Sequence, residues 1–341
     1  MNMQQAIARV IAGDDLSADE MAEVMGLIMG GEATQAQIGG FLVGLRIKGE
    51  TITEITEAAR VMRALATPVE SSAERLIDTC GTGGDGAHTF NISTAAAIVA
   101  AAAGAPVAKH GNRSVSSSSG SADVLEKLGV NIDLSAAQVG HCLDQLGIGF
   151  LFAPAHHGAM KHAIGPRREL GARTIFNLLG PLTNPAGAKC QLIGVYDSGL
   201  LEPVAQVLQR LGSERVMVVR GEDGLDEISL SGVTRVAELK QGQVNGYQLT
   251  PEQLGLPRSA TATLKVDSAE QSAAVIQQVL AGQSGAPRDS VLANAGASIY
   301  LAGLSDSLVD GITLAATTID SGAAVAKLAA LVELTSSLGA Q

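Results

Sequence analysis

The sequence contains no tryptophan, and aromatic residues make up only 2% of its 341 positions. Base-stacking platforms for single-stranded nucleic acid and aromatic cages for cations are therefore excluded as the basis of function. Cysteine is equally scarce. Cys80, Cys142 and Cys190 are widely spaced, odd in number and free of any Cys-x-x-Cys pair, so a disulfide framework and a thiolate metal site both fall away. Reduced thiols in the cytoplasm are expected. Positive charge is short as well: Lys and Arg number 23 against 34 Asp and Glu, a net charge of −11. Such a field repels nucleic acid and anionic membrane, so neither is an expected partner and any anionic ligand must be held by a local cluster. The apolar stretch from Ala95 to Ala103 falls well below the roughly 18 residues of a membrane span. No Gly-x-Ser-x-Gly elbow occurs, so nucleophilic acyl transfer has no support.

Hydrophobic residues, 46% of the chain, are ample for one large domain or two unequal ones. From Gln4 to Ala66 the pattern is helical, with a capping-box signature at Ser17 and Glu20 and further N-caps placed at Thr34 and Thr53. Thr67-Pro68 stops the last of these helices. Beyond it, short apolar strands (Leu76 to Thr79, Pro106 to Ala108, Gly149 to Ala153, Cys190 to Tyr196, Glu214 to Val219) alternate with helices, and helices dominate again from Ser268. The expected fold is α/β, a small all-helical domain plus a large α/β domain around a central, mostly parallel sheet.

Chemistry concentrates behind the strands. Gly81-Thr82-Gly83-Gly84-Asp85-Gly86 follows the first strand, and Asn91-Ile92-Ser93-Thr94 opens an Ala-rich helix. Glycines admit close approach of main-chain amides to oxygen, and a helix start offers unpaired N–H groups, so this unit is read as a phosphate site. A dinucleotide reading fails because the next strand ends in Lys109-His110-Gly111-Asn112-Arg113 rather than an acidic residue. A Walker loop fails because no Lys-Ser or Lys-Thr follows the glycines. Lys109 to Arg113 leads into Ser114, Ser116 to Ser119 and Ser121, which reads as a second anion site or else a solvated serine loop. Glu222, Asp223, Asp226 and Glu227 after a later strand suit Mg²⁺ beside phosphate, or form an acidic turn. Arg167, Arg168 and Arg173 precede Phe176 to Pro185; an arginine fork could orient a carboxylate, although ordinary surface arginines on a helix are the better reading of these residues alone. His156, His157 and His162 share no metal-binding helix face and are expected to be exposed or in loops.

Gly81 to Asp85, Thr89 to Thr94, Lys109 to Arg113, Arg167 to Pro185 and Asp226-Glu227, in this order, resemble the anthranilate phosphoribosyltransferases of tryptophan biosynthesis. Gly31 to Thr34 and Arg46 to Glu50 extend the resemblance over nearly the whole chain. It implies transfer of the phosphoribosyl group of phosphoribosyl pyrophosphate (PRPP) to the amine of anthranilate with release of pyrophosphate, two Mg²⁺ ions per subunit and a homodimer. It implies PRPP contacts from Gly81, Gly84, Asp85, Thr89, Asn91, Ile92, Ser93, Thr94, Lys109, His110, Gly111, Asn112, Arg113, Ser117 and Ser121. It further implies metal ligation by Ser93, Asp226 and Glu227, and anthranilate contacts from Gly81, Asn112 and Arg167. The small domain would span 1–70, completed by about 165–185, with the large domain at 74–341 closing over it. An aromatic amine is neutral at pH 7, so no strong base is demanded, and His110 is the one weak candidate. The sequence departs from the family at Ser118, where relatives often carry lysine. Two other readings stand beside this one. A nucleoside phosphorylase-like enzyme would take a base rather than an acid, which Arg167 argues against. A non-catalytic nucleic-acid-binding relative should be basic and lack Asp226-Glu227.

Overall fold

A computed structural model describes residues 1–113 and 119–339. The chain opens with four helices, α1 (Met3–Ala12), α2 (Ala18–Met29), α3 (Gln35–Lys48) and α4 (Ile52–Leu65). Each begins at a capping box, Asn2 with Gln5, Ser17 with Glu20, Thr34 with Gln37 and Thr51 with Glu54, in which side chains satisfy the first unpaired amides. Thr51, rather than the expected Thr53, caps α4, because only Thr51 has a glutamate three residues on to close the box. Ala66 leaves the helix in an extended conformation two residues before Pro68.

The α/β part runs β1 (Ile77–Gly81), α5 (Ile92–Ala102), β2 (Val107–Gly111), α6 (Ser121–Lys127), α7 (Ala136–Leu146) and β3 (Ile148–Phe152). Three short helices, α8 (Ala153–His156), α9 (Lys161–Leu170) and α10 (Ile175–Leu182), return to the bundle before β4 (Cys190–Gly194), α11 (Leu201–Arg210) and β5 (Arg215–Gly221). A hairpin, β6 (Thr234–Lys240) and β7 (Gln243–Leu249), precedes α12 (Ala269–Leu280), α13 (Ala286–Leu301), α14 (Leu308–Asp320) and α15 (Ala323–Gly339). The sheet order is β3-β2-β1-β4-β5-β6-β7. The first five strands are parallel and the hairpin adds two antiparallel strands at one edge.

Alternating side chains divide the core. Ile77, Leu192, Met217 and Val219 face α5, α12 and α13, while Ile193, Val195, Val216 and Val218 face α11. This second layer is continuous with the bundle: Phe41 and Leu45 of α3, Ile55 of α4, Leu178 and Leu179 of α10 and Val204 of α11 belong to one apolar cluster. Strand direction reverses its build order at β1, with β2 on one side and β4 on the other. That is the switch point of an open α/β sheet, where the crevice beyond the strand ends accepts ligands.

Candidate active site at the sheet switch point

Four neighbouring parallel strands end on glycine: β2 at Gly111, β1 at Gly81, β4 at Gly194 and β5 at Gly221. Space requires it at the centre. A Cβ on Gly81 would stand 2.5 Å from Asp226 Oδ2, and one on Gly194 would stand 1.5 Å from the Asp226 carbonyl oxygen. The acidic turn after β5 thus lies directly on the ends of β1 and β4.

The Gly81 to Gly86 loop is fixed at one end and open at the other. Thr82 N donates to Gly194 O at 2.9 Å and Gly83 N to Asp226 Oδ2 at 3.0 Å. Gly84, Asp85 and Gly86 donate to no protein acceptor among the described residues, which leaves three adjacent amides for a ligand. Gly83, Gly84 and Gly86 all have positive φ, a conformation that glycine adopts without strain. The loop is clasped from the far side by Arg173, whose guanidinium donates to Gly84 O and lies 3.9 Å from the Tyr196 ring centroid.

The start of α5, which the sequence reading gives to phosphate, is occupied by a carboxylate: Ser93 N donates to Glu227 Oε1 at 3.1 Å. Lys109 is buried under the same point, with Nζ bonded to Thr79 O and Ser93 Oγ. Burial pushes the pKa of both Asp226 and Glu227 up, and mutual repulsion together with Asp85 adds to it. Without a bound cation beyond Lys109, these crowded carboxyls therefore hold protons more firmly than free ones do. No group of three or more His, Cys, Asp or Glu side chains forms a self-sufficient metal cage among the described residues. Hard oxygen donors in that number suit Mg²⁺, which keeps water and phosphate in its shell. The other two acidic residues of the turn have different work. Asp223 accepts from Ser229 Oγ, Ser231 Oγ and Thr261 Oγ1, which anchors the turn, and Glu222 pairs with Arg235.

The remaining candidates are distributed around this centre. Asn91 Oδ1 accepts from Ser119 Oγ at 3.0 Å and Ser272 Oγ at 2.8 Å, tying the serine segment to α5 and α12. Thr89 bridges Lys265, Ile92 is buried, and Thr94 Oγ1 is buried without a partner among the described residues. Asn112 O accepts from Ser121 Oγ at 3.4 Å. Arg113, expected to be an available phosphate cation, is held by Asp123 at 3.0 Å and by both carboxylate oxygens of Glu126. Ser117 and Ser118 lie outside the described residues.

Fully buried Asp78 ties together the floor of the crevice beside β2. Its Oδ1 accepts from His110 N at 3.0 Å and its Oδ2 from Asn184 Nδ2 at 2.8 Å, joining β1, β2 and the segment after α10. His110 Nδ1 lies 3.1 Å from Gly180 O, and its ring packs 5.1 Å from that of His157. Burial, then the neighbouring His157, lowers the His110 pKa to about 3, so the ring is neutral and Nδ1 donates to Gly180 O. His157 lies in the loop after α8 as expected but is buried, and His156, at the end of α8, is buried against expectation, because α8 folds back under the linker where His156 meets Thr67 O. Arg167 stacks 5.2 Å from the Phe176 ring centroid, is half-buried and has no acidic partner among the described residues, whereas Arg168 is exposed. Arg167 makes no hydrogen bond to the glycine loop among the described residues. The sequence offers no signal for Asp78, Asn184, Ser272 and Arg173 as supports, since each acts through a partner distant in the chain.

A capped helical bundle beside a parallel sheet with its anion loops at the switch point defines a two-domain glycosyl transferase. The helical bundle domain of the glycosyl transferase family matches residues 4–66, and the a/b domain of that family matches residues 73–325. The chain is 61% identical over 337 residues to the anthranilate phosphoribosyltransferase of Thioalkalivibrio sulfidiphilus, covering 99% of this chain and 100% of that protein. It is 58% identical to that of Alkalilimnicola ehrlichii, covering 98% and 99%. The crystal structure of the Thermus thermophilus enzyme superposes with a TM-score of 0.92 at 45% identity, over 97% of this chain and 99% of that one. The Saccharomyces cerevisiae enzyme in complex with PRPP and Mg superposes with a TM-score of 0.90 at 27% identity, over 98% of both. The chain belongs to the anthranilate phosphoribosyltransferases.

Proposed function

We propose that the family reaction, transfer of the phosphoribosyl group of PRPP to the amine of anthranilate with release of pyrophosphate, takes place in the crevice over β1 and β4. The observation that carries this reading is the convergence of the open Gly84 to Gly86 amides with Ser93, Asp226 and Glu227 at one point. The yeast relative is described in complex with PRPP and Mg, and also with 4-fluoroanthranilate.

In this assignment Gly81, Gly84, Asp85, Thr89, Asn91, Ile92, Ser93, Thr94, Lys109, His110, Gly111, Asn112, Arg113 and Ser121 surround PRPP. Arg113 must release Glu126 to reach a phosphate. Ser93, Asp226 and Glu227 hold two Mg²⁺ ions per subunit, whose contribution is to neutralise charge on the departing pyrophosphate. The loop amides and Lys109 hold the oxyanions, and carbon–oxygen cleavage leaves positive charge on the ribose ring. The chain's task is then to place the neutral amine against that carbon. Gly81 leaves room for the acceptor, Asn112 borders it and Arg167 pairs with its carboxylate. Neutral His110, whose buried Nε2 has no partner among the described residues, is the weak candidate for taking up the amine proton.

The small domain is taken as 1–70 with about 165–185, and the large domain as 74–341. The three free cysteines fit a reducing cytoplasm. A homodimer is supported by the α1–α3 face, where Ile11 is 72% and Ile47 82% exposed. Ile47→Asp should convert a dimer to monomer in sedimentation, and an unchanged sedimentation coefficient would remove this face from the interface.

Loss of anthranilate fluorescence with PRPP and Mg²⁺ tests the reaction. Asp226→Ala with Glu227→Ala should abolish turnover at ordinary Mg²⁺. Wild-type rates from that variant would return these residues to the status of an acidic turn.

A further inference from the structure

The opposite end of the sheet carries a second concentration of positive charge. Ile77, Cys190 and Arg215 stand side by side at the starts of β1, β4 and β5. Because side chains alternate, Arg75 shares the face of Ile77 and Arg215 that of Met217, the face covered by α13. Both arginines therefore reach the end of α13. There Gly303 has φ 82°, and a Cβ on it would stand 3.0 Å from Arg75 Nη1 and 3.5 Å from Arg215 Nη1. Arg215 also lies 4.5 Å from the Tyr300 ring centroid, and Lys240 approaches the same ring at 5.0 Å.

Neither arginine has an acidic partner among the described residues. Of the carboxylates beside these strands, Glu214 pairs with Lys189 at 3.3 Å, and Glu238 accepts from the hydroxyls of Tyr300 and Tyr247. The two guanidiniums converge on Gly303, Arg75 exposed and Arg215 half-buried, and a dianion between them converts their mutual repulsion into paired charge-assisted hydrogen bonds. Stacking on Tyr300 fixes one fork, and the absence of a Cβ at Gly303 lets both Nη1 atoms come up to the backbone.

We propose that Arg75 and Arg215, with Lys240 beside them, form a binding site for a small oxyanion, a phosphate or phosphomonoester group, at the end of the sheet away from the catalytic loops. Free phosphate and a phosphorylated metabolite share this chemistry.

Titration calorimetry with inorganic phosphate tests it on the full-length protein, at constant ionic strength, with PRPP and Mg²⁺ saturating and no acceptor so that the catalytic phosphate sites are filled. One further site is expected in the wild type, weakened about ten-fold by Arg75→Gln or by Arg215→Gln, with kcat and KM for both substrates unchanged. Tighter binding of ribose 5-phosphate than of inorganic phosphate would identify the phosphomonoester as the source, and equal binding the free ion. Crystals soaked in phosphate should show the anion beside Gly303. Phosphate binding unaffected by either substitution, or an empty space beside Gly303 in those crystals, would overturn the proposal.

Discussion

At the scale of single residues, Arg167 and Arg168 are equivalent as letters and different as groups. Stacking on Phe176 and partial burial hold the Arg167 guanidinium in a fixed plane without a counter-charge. A planar carboxylate completes such a site, and one charged hydrogen bond there is worth about 1.5–3 kcal/mol. Arg167→Ala should therefore raise KM for anthranilate by roughly ten-fold to a hundred-fold and leave the KM for PRPP nearly unchanged. Equal weakening of both substrates would move the acceptor contact elsewhere. His110 gives a second prediction, in pH. Its folded pKa of about 3 lies below the ordinary value of 6.5. Above pH 6.5 both folded and unfolded states are neutral there. As pH falls below 6.5 the unfolded chain binds a proton that the fold refuses, and at pH 5 this costs about 2 kcal/mol of stability. Urea unfolding should show a smaller loss between pH 7 and pH 5 for His110→Gln than for the wild type; equal losses would show that His110 is not held neutral.

The elements differ in how plainly the sequence announced them. The parallel strands and their following loops were legible because each is a short run with apolar residues, and four of the five end in glycine. The candidate ligands sit in contiguous stretches directly behind them, 81–94, 109–113 and 226–227. The β6–β7 hairpin was not legible. Its turn places Gln241 at φ 52° before Gly242 at φ 74°, and glutamine is not a residue that signals that geometry. The supports of the site were hidden for another reason. Asp78 with Asn184, Asn91 with Ser272 and Gly84 with Arg173 are pairings that only tertiary folding creates. Capping was readable to within two residues at α4, where Glu54 does more than close a box. This fully buried carboxylate accepts from Leu16 N, Thr51 N and Lys48 Nζ at 2.8–2.9 Å, and the Lys48 side chain is itself buried. Removing it strands a buried cation, so Glu54→Ala should cost about 3 kcal/mol in denaturant unfolding. A loss below about 0.5 kcal/mol, typical of surface substitutions, would show that Asp15 alone neutralises Lys48.

For the whole molecule, the expected closure of one domain over the other meets a constraint. The bundle shares its apolar cluster with α10, α11 and the back of β4 and β5, so the two parts do not separate without exposing core. Closure must then be a small rotation that keeps that layer packed, with the loops at 81–94 and around 109–121 taking up most of the change. Hydrogen exchange with and without PRPP and Mg²⁺ should show protection in those loops and in the 66–73 linker, while α4 and α11 stay unchanged. Ligand binding that leaves the linker and both loops at their free exchange rates would rule closure out.

The same shared core has a consequence for how the protein is made. The bundle leaves the ribosome before the side chains that cover its inner face, Ala163 through Leu208, which are encoded about 100 to 140 residues after α4. At 5–20 residues per second, α1 to α4 wait roughly five to thirty seconds with that face uncovered. Nascent-chain exposure, rather than the stability of the finished enzyme, is then the step at which substitutions in α3 and α4 would first reduce yield.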